Sequence, residues 1–63
     1  MELRLKNLRE NNGYTEKQIA EYLLCGEAEY GRYEEGKSAI PLEYLVKLAE
    51  LYNVGVDCII GRK

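Results

Sequence analysis

The breaks in this chain constrain its fold more than any other feature. "NNG" at 11–13, Gly26, "EGKSAIP" at 35–41 and "NVGV" at 53–56 punctuate a sequence of 63 residues. Glycine and asparagine allow backbone turns that other residues resist, and proline removes a donor, so regular structure stops at such points. The five segments left between them place their apolar residues at helical rather than alternating spacing, which predicts an all-α chain. At this length it forms one domain, 1–63, with a core only just sufficient, so its connections must be short. A hydrophobic content of 46% with 32% charged residues fits a folded chain and not a disordered one.

The first segment runs from about Glu2 to Asn11, with Leu5 and Leu8 on one face, and "NNG" supplies a residue tolerant of positive φ to end it. The second opens with Thr15 and, three residues later, Gln18, a capping box in which each side chain serves the other residue's backbone N–H. Ile19, Ala20 and Leu23 form its buried face. The third spans about Glu27 to Glu35, with Gly26 as N-cap, Gly36 as stop, and Tyr30 and Tyr33 turned inward. The fourth starts at Pro41, whose missing N–H is not needed at a first helical position. Tyr44, Leu45, Leu48, Ala49 and Tyr52 make it the most apolar helix and the organiser of the core. The last is the short "VDCII".

Several classes of function are excluded early. No apolar run approaches the roughly 20 residues needed to span a bilayer, and the opening "MELRLKNLRE" is charged throughout, so a cytoplasmic protein without a signal peptide or membrane contact is expected. Cys25 and Cys58 read as two buried thiols in a reducing compartment or as one bridge, and no CxxC spacing offers a metal site. There is no histidine, the only serine is loop-bound Ser38, and neither cysteine has an evident base beside it, so no enzyme is expected. The glycines match no phosphate loop, and no cofactor is implied. Six tyrosines are enough for a stacking platform, but Tyr30, Tyr33, Tyr44 and Tyr52 fall on core faces.

The second and third segments are joined by "LLCG", a tight connection with its glycine at the turn, which is the spacing of a helix-turn-helix. "LKNLREN", "YTEKQIAEYL", "YGRYEEGKSAIP" and "LEYLVKLAELYNVGVDCIIG" extend the likeness over residues 3–61. Taken together they resemble the phage repressor and Cro type of helix-turn-helix, the XRE family. The resemblance implies a compact, lambda-repressor-like five-helix bundle, and a sequence-specific DNA-binding transcriptional regulator that acts as a homodimer on double-stranded DNA. It places Glu27, Ala28, Gly31 and Arg32 at base-reading positions, and Thr15, Glu16, Lys17, Lys37 and Ser38 near phosphates. It also implies an internal ion pair of Arg9 with Glu34.

Each position has a chemical role and a plainer alternative. Arg32 can grip guanine O6 and N7 through its planar fork, or reach a phosphate. Ala28 can touch a thymine methyl, or serve only as a good helix former. Gly31 allows close approach, yet weakens its helix by about 1 kcal/mol relative to alanine. Glu27 can accept from cytosine N4, or join Glu29 in steadying the positive end of a helix that lacks a side-chain cap. The chain departs from the family where glutamine is common at the position of Glu16 and serine at that of Gly31. Net charge is −2, and residues 14–38 hold Lys17, Arg32 and Lys37 against Glu16, Glu21, Glu27, Glu29, Glu34 and Glu35. Phosphate neutralisation supplies most non-specific affinity, so weak DNA binding is expected unless the domain dimerises. The competing expectation is a repurposed or engineered domain of the same fold, whose acidic face meets a protein partner.

Overall fold

The computed structural model describes residues 4–61, which form five helices and no strand. They are α1 (Leu5–Asn11), α2 (Glu16–Leu23), α3 (Glu27–Glu35), α4 (Leu42–Tyr52) and α5 (Val56–Ile59). The expected start of the first helix at Glu2 lies outside the described residues. The Arg4 N–H donates to the Ile59 carbonyl at 2.7 Å, which ties the start of α1 to the end of α5.

One apolar core holds the helices together. Leu5, Ile19, Leu23, Tyr30, Leu48 and Ile59 are almost completely enclosed, and Ala20, Tyr33, Leu45, Ala49 and Tyr52 complete the cluster. Every helix contributes to it, so none can be removed without opening the core. The rings pack edge to face: Tyr30 and Tyr33 lie 6.4 Å apart, and Tyr33 and Tyr44 6.2 Å apart, a separation at which aromatic quadrupoles attract.

Four of the helices end in the same way. Behind α1, α2, α3 and α4 an N–H reaches back five residues to a carbonyl, from Tyr14 to Arg9, Cys25 to Ala20, Lys37 to Arg32 and Val54 to Ala49. That closure needs one residue in the left-handed conformation. Gly13 and Gly36 supply it with φ of 77°, and Asn53 with φ of 57°. In the turn between α2 and α3 the residue is Leu24, with φ 61° and ψ 41°.

The last observation corrects the sequence reading, which put the glycine of "LLCG" at the turn. Gly26 is instead extended, with φ −77° and ψ 150°, and is the N-cap of α3 as expected. Three smaller corrections follow. Pro41 is the N-cap of α4 with extended ψ of 147°, so the helix starts one residue later than expected. Ile60 closes α5 instead of continuing it. Cys25 and Cys58 are free thiols that are half-buried rather than buried, Cys25 packed against the edge of the core. No helix among the described residues is long and apolar enough to cross a membrane.

Candidate nucleic-acid interface

The α2–α3 unit starts from a well-made helix end. The Thr15 hydroxyl accepts from the Gln18 N–H at 3.1 Å, and the Gln18 side chain accepts from the Thr15 N–H at 2.8 Å. The predicted capping box is therefore present. It leaves the N–H groups of Glu16 and Lys17, which no preceding turn can satisfy, open at the helix end.

The residues expected to read bases lie along one strip of α3. Ala28 and Arg32 are four residues apart, as are Glu27 and Gly31, so the two pairs run side by side along the helix. Glu27, Ala28 and Arg32 are exposed, with small residues between the charged ones. No carboxylate among the described residues lies within ion-pair distance of Arg32. The exit loop is folded onto the same helix, since the Arg32 carbonyl accepts from the N–H groups of Lys37 at 2.9 Å and Ser38 at 3.4 Å. Lys37 also pairs with Glu35 at 3.4 Å, across exposed side chains where such a contact is worth little.

Behind this strip lies a charged pair that braces the unit. Arg9 donates through Nε to Glu34 Oε2 at 2.6 Å and through Nη2 to Glu34 Oε1 at 3.2 Å. Its Nη1 donates to the Tyr14 carbonyl at 3.0 Å, so the guanidinium joins α1, the loop before α2 and α3. The side chains are only 10% and 4% exposed, and the hydrogen bond to Glu34 raises the Arg9 pKa further.

Two of the acids whose purpose was open in the sequence are placed by the fold, one of them with a partner. Glu29 accepts from the Tyr33 hydroxyl at 2.7 Å, one turn along the same helix. That bond, with burial, pushes the Tyr33 phenol up to about 12. The signal was available, because a carboxylate and a tyrosine four apart on a helix are neighbours. Glu16 turns its carboxylate toward α3, where Oε2 lies 3.9 Å from the place a side chain at Gly31 would begin. Its pKa is raised by burial and by the nearby Glu34, with Arg9 opposing. Sequence reasoning missed the hydroxyls of Tyr30 and Tyr52, buried without a hydrogen-bond partner of good geometry. Both face the Arg9–Glu34 pair, and burial is the main reason their pKa values are raised.

Comparison with known proteins agrees with this arrangement. A family model described as Helix-turn-helix matches residues 5–57. The HTH-type transcriptional regulator YobD of Bacillus subtilis, itself described as uncharacterized, is 43% identical over 58 residues, covering 92% of this chain and 52% of the relative. The HTH-type transcriptional regulator ImmR of the same organism is 39% identical over 59 residues, covering 94% of this chain and 46% of the relative. The chain thus spans about half the length of the curated relatives it matches. A crystal structure of a transcriptional regulator from Listeria innocua superposes with a TM-score of 0.87 at 27% identity, covering 94% of this chain and 55% of that one. The family match takes in α2, the Leu24 turn, α3 and the helices that brace them, and on that ground the chain belongs to the helix-turn-helix family, of the phage repressor and Cro type.

Proposed function

We propose that this chain is the DNA-binding part of a cytoplasmic transcriptional regulator, and that it reads the major groove with α3 as a homodimer on a two-fold-related site. The observation that carries the reading is the strip of α3, exposed and braced from behind by Arg9 and Glu34, in a chain similar to proteins named as transcriptional regulators. Arg32 is the residue best suited to a base, because its guanidinium is free to offer two parallel donors to guanine. Ala28 lies beside it for a thymine methyl. Gly31 keeps the strip shallow, and Glu27 accepts from cytosine N4. The hydroxyl of Thr15, the ammonium groups of Lys17 and Lys37, and Ser38 engage phosphates, with the N–H groups at the start of α2 alongside. Glu16 lies among them.

Selection from a random duplex library at low salt, followed by anisotropy titration of the enriched site, tests the proposal. A recurring motif with two half-sites about one DNA turn apart is expected for a dimer. Arg32→Ala should then lose selectivity at one base position in each half-site. No enrichment, with no binding to mixed-sequence DNA near 50 mM salt, refutes the reading and favours a protein partner on the acidic face.

A further inference from the structure

We infer that Glu16 sets how strongly this domain holds the DNA backbone, and that proton uptake by its carboxyl group raises that affinity. The inference rests on the DNA-binding function proposed above. It starts from the place of Glu16 as the first residue of α2, beside the open N–H groups that would receive a phosphate.

The surroundings of this carboxylate explain why it responds to protons. Its Oε2 rests over Gly31, where α3 has no side chain to displace it. From α3 it faces the carboxylates of Glu34 and Glu27, and from α1 the guanidinium of Arg9. Arg9 is already committed, with two donors on Glu34 at 2.6 and 3.2 Å and a third on the Tyr14 carbonyl. Glu10 adds another acid 4.0 Å from the same guanidinium. Beside Arg9 and Glu34 lie the Tyr30 and Tyr52 hydroxyls of α3 and α4, buried without a hydrogen-bond partner of good geometry. On α2 itself Lys17 is exposed.

Arg9, Glu34 and Glu16 together therefore carry one more negative charge than positive, and the surplus belongs to Glu16. A proton is the counter-charge this site can take. Burial and the charge of Glu34 both raise the Glu16 pKa, with Arg9 opposing. The same proton removes a negative charge from the helix end where a phosphate would lie. A charge some 6 Å from a phosphate at a solvated surface changes affinity by roughly three- to tenfold.

The test is anisotropy of the full chain on mixed-sequence duplex DNA from about pH 4 to pH 8, at constant low ionic strength, with helicity followed by circular dichroism. Wild type should bind more tightly as the pH falls. Glu16→Gln should bind roughly three- to tenfold more tightly than wild type at the upper end of the range and lose most of the pH dependence. Glu21→Gln, which removes an exposed charge from α2 away from the cluster, should keep the wild-type pH profile. Glu16→Gln with wild-type affinity, or with the wild-type pH profile, overturns the inference while leaving DNA binding standing. Absence of binding by all three proteins at every pH overturns the DNA-binding reading and this inference with it.

Discussion

Leu24→Gly should stabilise this protein. Leu24 holds the left-handed position behind α2 with φ 61° and ψ 41°, a place filled by glycine behind α1 and α3 and by asparagine behind α4. For an L-residue with a Cβ this conformation costs about 1–2 kcal/mol. Glycine escapes that cost, but its more flexible unfolded chain returns roughly 0.5–1 kcal/mol of the gain. Little else is at stake, because Leu24 is 85% exposed and gives up only about 0.3 kcal/mol of burial. The net expectation is a gain of about 0.5 kcal/mol, or some 2–4 °C in Tm for a domain of this size.

Urea denaturation with the midpoint and slope fitted together is the assay, and a companion variant isolates the cause. Leu24→Ala removes the same exposed side chain but keeps the Cβ, so it should be no more stable than wild type. Glycine above wild type with alanine at or below it supports the backbone account. If glycine destabilises, or if alanine gains as much as glycine, the strain assigned to Leu24 is not the operative quantity.

Three further outcomes follow from the buried polar cluster. Glu34→Ala leaves Arg9 nearly buried without its carboxylate; the loss should be about 3–5 kcal/mol. That is comparable to the whole stability expected at about 0.05–0.15 kcal/mol per residue, so circular dichroism at 25 °C should show a largely unfolded chain. Tyr52→Phe removes a buried hydroxyl that has no partner and should raise stability by about 1 kcal/mol in urea melts; a loss of that size would show that the hydroxyl is bonded. Alkaline pH should unfold the protein, because the phenols of Tyr33, bonded to Glu29, and Tyr52, buried, are pushed up to about 12. An ordinary tyrosine ionises near 10, so their contribution is intact below about pH 10 and is lost as pH climbs toward 12. Stability unchanged across that window in a pH titration of helicity counts against the assignment.

The helices were legible because their signals are local. Thr15 and Gln18 marked the start of α2 by the spacing of a capping box, and Gly36 the end of α3 by a conformation glycine adopts freely. Helical periodicity likewise picked out Tyr30, Tyr33, Leu45, Leu48, Ala49 and Tyr52 as the inner residues. The turn between α2 and α3 was misread for the same reason, since leucine carries no turn signal and the glycine two residues on does. Only the fold decided which of the two bends the chain. The site was less legible than the fold, because the direction of a carboxylate depends on what packs against it. Glu29 and Glu16 look alike in the sequence, yet one bonds a tyrosine of its own helix and the other leans over the Gly31 of a neighbouring helix.

The acidity of this surface looks different once the carboxylates are placed. Glu34 is enclosed with Arg9, Glu29 is drawn back to Tyr33, and Glu35 lies beside Lys37. Glu21 is exposed farther along α2, and the acids left at the helix starts are Glu16 and Glu27, the first residues of α2 and α3. A helix start carries about half a positive charge, which is what makes it attractive to phosphate. A glutamate at that position stabilises the helix by drawing on the same field, and α3 has particular need of it because Gly26 provides no side-chain cap. Glu27 therefore exchanges affinity for stability at the point where α3 would meet the nucleic acid, whereas the charge of Glu16 is opposed by burial and by Glu34. Neutralising either should strengthen binding to mixed-sequence DNA, and at Glu27 this should come at a cost in the stability of α3 and in selectivity for the cytosine it accepts from.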